Sequence, residues 1–220
     1  MIKKLLLCAI AFCFLLVSFA GCGDEEAQPL ALSNTTADFA VDPALIASFS
    51  MPKEDAVKEL GLTEDMFSVT DEGPAYTSSY SWCGRSCDTY LVYNEKLFPD
   101  TAAYYFLMKE TLPSNDNTKA FVQEGVSKFI SQFGTPVCST ERDGEREGTE
   151  YTKGDESKIL QAFWDEDASK YSAYSTVSFR FDLPESSESD PRWVECSFTR
   201  TAEDPGNLLV QMKLSRTKVS

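Results

Sequence analysis

Three stretches near the carboxyl terminus alternate apolar and polar residues with a period of two, and this alternation constrains the fold more than any other feature. Val177, Phe179, Phe181 and Leu183 interleave with Ser178, Arg180 and Asp182; Val194, Cys196 and Phe198, then Leu208, Val210, Met212 and Leu214, repeat the pattern. Successive side chains of a strand point to opposite faces, so each stretch predicts a strand with one buried and one wet face. Strands of that kind belong to antiparallel sheets, because parallel sheets are covered on both sides. The Ser- and Glu-rich segment 184–191 and the run 201–207, with Asp204-Pro205-Gly206-Asn207, predict the turns between them.

Upstream, residues 117–133 predict a helix: Phe121, Val122, Val126, Phe129, Ile130 and Phe133 form one apolar stripe, residues 114–117 offer caps, and Gly134 and Pro136 end it. Asp42-Pro43 predicts a helix start, with Leu45, Ile46 and Phe49 on one face. A second short helix carries Ala56, Val57 and Leu60 and closes at Gly61 with Leu62 beyond it, as in a Schellman ending; Thr63 caps one more turn through Met66 and Phe67. Three strands are expected next: one around Tyr76, Tyr80 and Trp82, one over Thr89–Tyr93, and one over Ala103–Met108, a stretch that also fits a helix start after Asp100. Residues 141–156, rich in acids and glycine, read as an exposed hairpin or loop, and Ile159–Trp164 reads as a strand. The expected class is α+β: an antiparallel sheet of about 6–8 strands with one long helix and short amino-terminal helices packed on one face. It occupies residues 42–220 as one domain, or as two α/β halves, about 42–112 and 113–220.

The amino terminus is an address. Lys3 and Lys4 precede an uncharged run from Leu5 to Ala20, and Ala20-Gly21 leads into Cys22, followed by Gly23, Asp24, Glu25 and Glu26. A short apolar run without a cationic flank behind it is a secretory signal and not a membrane span. Phe19-Ala20-Gly21-Cys22 resembles the lipobox of bacterial lipoproteins, which implies cleavage after residue 21, lipidation of Cys22 and anchoring on the extracytoplasmic side. Residues 22–41, small, polar or acidic, then read as a lipidated tether. The layout of roughly residues 50–216, with a helix ending Phe133-Gly134-Thr135-Pro136 before a run of strands, is similar to β-lactamase-inhibitor-like and outer-membrane-assembly small lipoprotein domains.

A formal charge of -15 makes nucleic acid an unsuitable partner, and the absence of histidine removes Ser-His-Asp and Cys-His catalysis and the His-based zinc motifs. No catalytic set, metal or cofactor is expected. Of seven cysteines, Cys83, Cys87, Cys138 and Cys196 lie in the exported domain. They are candidates for disulfides, with three connectivities open, or buried thiols; Cys83 and Cys87 flank a short candidate turn, which would leave Cys138 for Cys196. Ser50-Met51-Pro52-Lys53 has the spacing of a Ser–Lys dyad but lacks its partner motifs, and Asp165-Glu166-Asp167 lacks the spacing of a Ca²⁺ loop. The remaining signal is a surplus of amphipathic rings. Tyr76, Tyr80, Trp82, Tyr90, Tyr93, Trp164 and Trp193 form a candidate binding surface for another envelope protein. Small-ligand or glycan binding is the alternative and would require a concave pocket with convergent polar groups. An envelope hydrolase would require two carboxyls facing each other across a cleft.

Overall fold

The computed structural model describes residues 43–82, 85–94, 96–97, 103–167, 170–183 and 192–216. The signal segment, Cys22, the tether, Cys83 and the linker 184–191 lie outside the described residues. Helix α1 (Pro43–Ser48) begins at the proline marked by the sequence, and α2 (Lys53–Glu59) follows. The α2 ending is the predicted one. Gly61, at φ 63°, donates its N–H to the Lys58 carbonyl at 3.1 Å, and Leu62 donates to Val57 at 2.9 Å. These are the two bonds of a Schellman motif, and its positive φ is the reason glycine stands there.

One 3₁₀ turn, Glu64–Met66, is the further turn expected after Thr63, and it leads directly into β1 (Phe67–Thr70), a strand the sequence did not mark. Then come β2 (Gly73–Trp82), β3 (Arg85–Tyr93) and β4 (Ala103–Pro113). Helix α3 (Asp116–Phe133) starts at an Asn115 cap whose side chain accepts from the Thr118 N–H, and it ends at Gly134. Strands β5 (Val137–Arg142) and β6 (Glu145–Thr149) form a hairpin around Asp143-Gly144, both residues having positive φ. Residues Glu156–Trp164 are helix α4, correcting the strand expected over Ile159–Trp164. Ile159, Leu160, Phe163 and Trp164 lie at offsets 0, 1, 4 and 5, which makes one helical stripe with Leu160 and Phe163 buried. Strands β7 (Tyr174–Asp182), β8 (Arg192–Thr201) and β9 (Asn207–Arg216) complete the elements of the described residues.

The architecture is mostly sheet with some helix. All nine strands join one antiparallel sheet, one more than the upper end of the expected range, in the order β1-β2-β3-β4-β9-β8-β7-β5-β6. Strands β4 and β9 each end a run of helix followed by strands, and they pair antiparallel at the seam between the two runs, Phe106 opposite Leu214 and Met108 opposite Met212. One face carries the main core. Phe106, Phe179, Phe181 and Phe198 are completely buried and share one cluster with Phe49 of the α1 end, Val122, Val126 and Phe129 of α3 and Leu160 of α4. Phe129 lies 5.7 Å from the Phe181 ring. Burial of each such side chain contributes about 1.5–3 kcal/mol, so the helix layer is held by the stripe facing the sheet.

Candidate functional site

The opposite face is polar. Residues paired across neighbouring strands share a face, and one row across it reads Arg180, Glu195, Lys213, Leu107, Tyr90 and Thr77. The next reads Ser139, Ser178, Ser197, Gln211, Lys109 and Asp88. A second, smaller apolar cluster sits within this face: Ala75, Val92, Tyr105 and Leu107, with Tyr90 and Tyr104 packed against it.

At the β1–β3 end the open face deepens into a cleft of about 620 Å³, lined by Ser68, Thr70, Asp71, Glu72, Thr77, Asp88, Tyr90 and Lys109 among others. Glu72, in the β1–β2 turn, organises its floor. Its carboxylate accepts from the Tyr105 hydroxyl at 2.9 Å and from Lys109 Nζ at 3.3 Å, and its backbone carbonyl accepts from the same hydroxyl at 3.0 Å. The Lys109 ammonium lies 4.6 Å from the Tyr90 ring centroid and Lys213 lies 4.1 Å from that of Tyr105. Burial is the largest single influence and opposes the Lys109 charge, but the hydrogen bond it donates to Glu72 and the attraction of Glu72 and Tyr90 together outweigh it and raise the ammonium above its ordinary value. Burial pushes Lys213 below the usual lysine value, against the attraction of Glu195 and Glu72. Tyr105 is pushed up by burial and by the bond to Glu72, so it remains a neutral donor.

The expected aromatic surface is not assembled as one patch. Tyr76 and Tyr93 are buried on the helix-covered side, their rings 6.1 Å apart. There, with Phe67, they surround the Lys53 ammonium at 4.7–5.8 Å. Trp164 lies at the end of α4 beside Phe163 and the Lys119 ammonium. Among the described side chains of this set, Tyr90 and Trp193 are on the open face, Tyr90 in the cleft and Trp193 opposite Ser215 and Asp182. Tyr80 and Trp82 lie in β2, their side chains outside the described residues. Among the described residues the exposed large apolar side chains are Phe67, Val69 and Val137, near the two ends of the strand order.

Of the alternatives open for the cysteines, the described ones take that of buried thiols. Cys138 and Cys196 are unbridged buried thiols on either side of Phe179, which pairs with both. Two inter-strand spacings place them about 9.5 Å apart, beyond the roughly 6.8 Å a disulfide tolerates. Burial, with Glu156 nearby, pushes Cys138 up to about 12, and burial raises Cys196 as well. Cys87 stands inside β3 opposite Tyr80, its buried thiol 3.8 Å from the Glu110 carboxylate.

Ser50 and Lys53 have separate roles: the Ser50 hydroxyl accepts from Arg192 at 3.1 Å while Lys53 fills the aromatic cage. In the acidic triplet, Asp165 accepts from Gln161 at 2.8 Å and Glu166 pairs with Arg142 and Ser175. No group of three or more metal-ligating side chains occurs among the described residues, and no helix among them is long and apolar enough to cross a membrane. Glu72, Asp88 and Lys109 were not singled out by the sequence; Glu72-Gly73, a turn signal just before a strand, is the one local feature that marked the cleft's edge. Comparison with protein-family models, curated proteins and solved structures finds no match to this chain.

Proposed function

We propose that this chain is an exported, non-enzymatic binding protein, anchored to the extracytoplasmic side of a membrane by lipid on Cys22, whose open sheet face takes a glycan at the Tyr90 cleft. The observation that carries this reading is the convergence of Asp88, Glu72, Asp71 and Lys109 beside the Tyr90 ring in one concavity. A sugar presents hydroxyls that both donate and accept, matching carboxylates and an ammonium, and a C–H face that packs on an aromatic ring. Three acids against one lysine disfavour an anionic ligand. An envelope protein partner on this face is the second reading, favoured by the mixed-charge rows that continue far beyond the cleft.

The address is supported by the anatomy of residues 1–22. Its test is mass spectrometry of the mature amino terminus, where a diacylglyceryl thioether on Cys22 is expected, and Cys22→Ser should release the protein from membranes. The ligand is tested by titrating the full chain in phospholipid nanodiscs with neutral oligosaccharides. Tyr90→Ala and Asp88→Asn should each weaken binding about tenfold, a loss of about 1.4 kcal/mol. Saturable binding indifferent to both substitutions would place the ligand elsewhere, and capture of a stoichiometric protein by this face would favour the second reading.

A further inference from the structure

A second concavity lies on the helix side of the sheet, between α4 and the β5–β6 hairpin. It encloses about 380 Å³, and its two walls differ. Ile159, Ala162 and Phe163 of α4 form the apolar wall; Thr140, Arg142 and Thr149 of the hairpin form the polar one, with Glu150 next in the chain, the one lining acid without a basic partner, exposed to solvent that screens its charge. At its inner end Glu166 is only 8% exposed, and its carboxylate accepts from Arg142 Nε and from the Ser175 hydroxyl. A buried carboxylate needs such partners, and this pairing holds the guanidinium in one orientation. Arg200 secures the other side of the frame by donating to the carbonyls of Phe163 at 3.1 Å and Glu166 at 3.1 Å, at the carboxyl end of α4.

Hydrogen-bonding capacity along the polar wall is left over for a ligand. Arg142 commits Nε to Glu166, but among the described residues neither of its terminal nitrogens, nor the Thr140 or Thr149 hydroxyl, has a hydrogen-bond partner. Lys158 and Asp155 at the rim satisfy one another at 2.8 Å. An apolar wall opposite a few convergent donors on a fixed frame is the form of a small-molecule site.

We infer that this pocket binds a small amphipathic carboxylate, its acid group on the terminal nitrogens of Arg142 and the threonine hydroxyls, its apolar part against Ile159, Ala162 and Phe163. The site is separate from the Tyr90 cleft and does not depend on the reading given for it. Arginine suits the acid group because its planar fork meets both carboxylate oxygens, and Glu166 presents that fork already oriented.

The test is calorimetric and NMR titration of the full chain in nanodiscs with 4-phenylbutyrate and straight-chain carboxylates from butyrate to octanoate, with empty nanodiscs as the blank and 4-phenylbutan-1-ol as the uncharged control. Saturable binding of at least one carboxylate is expected, at least tenfold tighter than the alcohol. Ala162→Trp, at an exposed position of the apolar wall, should fill the pocket and abolish binding with the melting curve retained. Arg142→Gln should remove the preference for acid over alcohol; Thr149→Val, which leaves Glu166 paired, should weaken carboxylate binding severalfold and guards against a folding defect in the arginine variant. No saturable binding across the series, or binding that survives Ala162→Trp, overturns the proposal.

Discussion

Asp143 shows how one exposed side chain can organise a junction. It occupies the β5–β6 turn at φ 50°, where a short polar side chain is tolerated, and its carboxylate accepts from the backbone N–H groups of Ser172, Ala173 and Tyr174 at 2.7, 2.7 and 3.0 Å. Those backbone bonds, with the Ser172 hydroxyl, lower its pKa to about 2. Because the folded value lies below the unfolded one, the contribution is complete above about pH 4 and is lost as pH falls through 2. Melting temperatures between pH 5 and 2 should therefore fall more steeply for the native chain than for Asp143→Asn, and equal slopes would show that these bonds add nothing. The buried thiols give a second outcome at this scale. Site-resolved alkylation should leave Cys138 and Cys196 unmodified until denaturant is added, since thiols held in protonated form and away from solvent are poor nucleophiles.

Helix α3 was readable because its period is long and its ends are marked: Asn115 caps one end, Gly134 stops the other, and Val122, Val126 and Phe129 meet the sheet. Phe129→Ala should cost about 3–5 kcal/mol in denaturant unfolding, and Val126→Asp should leave no cooperative transition. A native-like melting curve for Val126→Asp would refute this packing. Shorter elements were less legible for identifiable reasons. Ile159–Trp164 is an apolar run brief enough for either period; Asp155 and Glu156 before it, and Ile159 as its one β-branched residue, were the signs of a helix. Strand β6 has no apolar residue, and β1 has only four residues with Val69 exposed, so neither shows the alternation that marks a half-buried strand. Both are edge strands, whose pairing comes from a neighbour and not from a buried face.

For the whole molecule, the missing information was register. Tyr76 and Tyr90 are both tyrosines in adjacent strands, yet Tyr76 stands opposite Leu91 and Tyr90 opposite Thr77, so the two rings emerge on opposite faces. Alternation locates strands but does not say which residues share a surface, and the Tyr90 cleft was invisible for that reason. The same pairing pattern sets the order of stability. Amides of β4 and β9, flanked on both sides and paired from Tyr105–Ser215 to Pro113–Asn207, should exchange most slowly with deuterium, with β1 and β6 fastest; uniform exchange across the sheet would contradict the seam. That seam also bears on how the chain is made. One partner of β4 is β9, the last strand described, so as the chain is synthesised, amino terminus first, β4 waits with a bare edge until some hundred further residues have emerged. Completion of the sheet is thereby deferred to the final segment, and a chain cut short before residue 207 would display an open apolar strand in place of a finished protein.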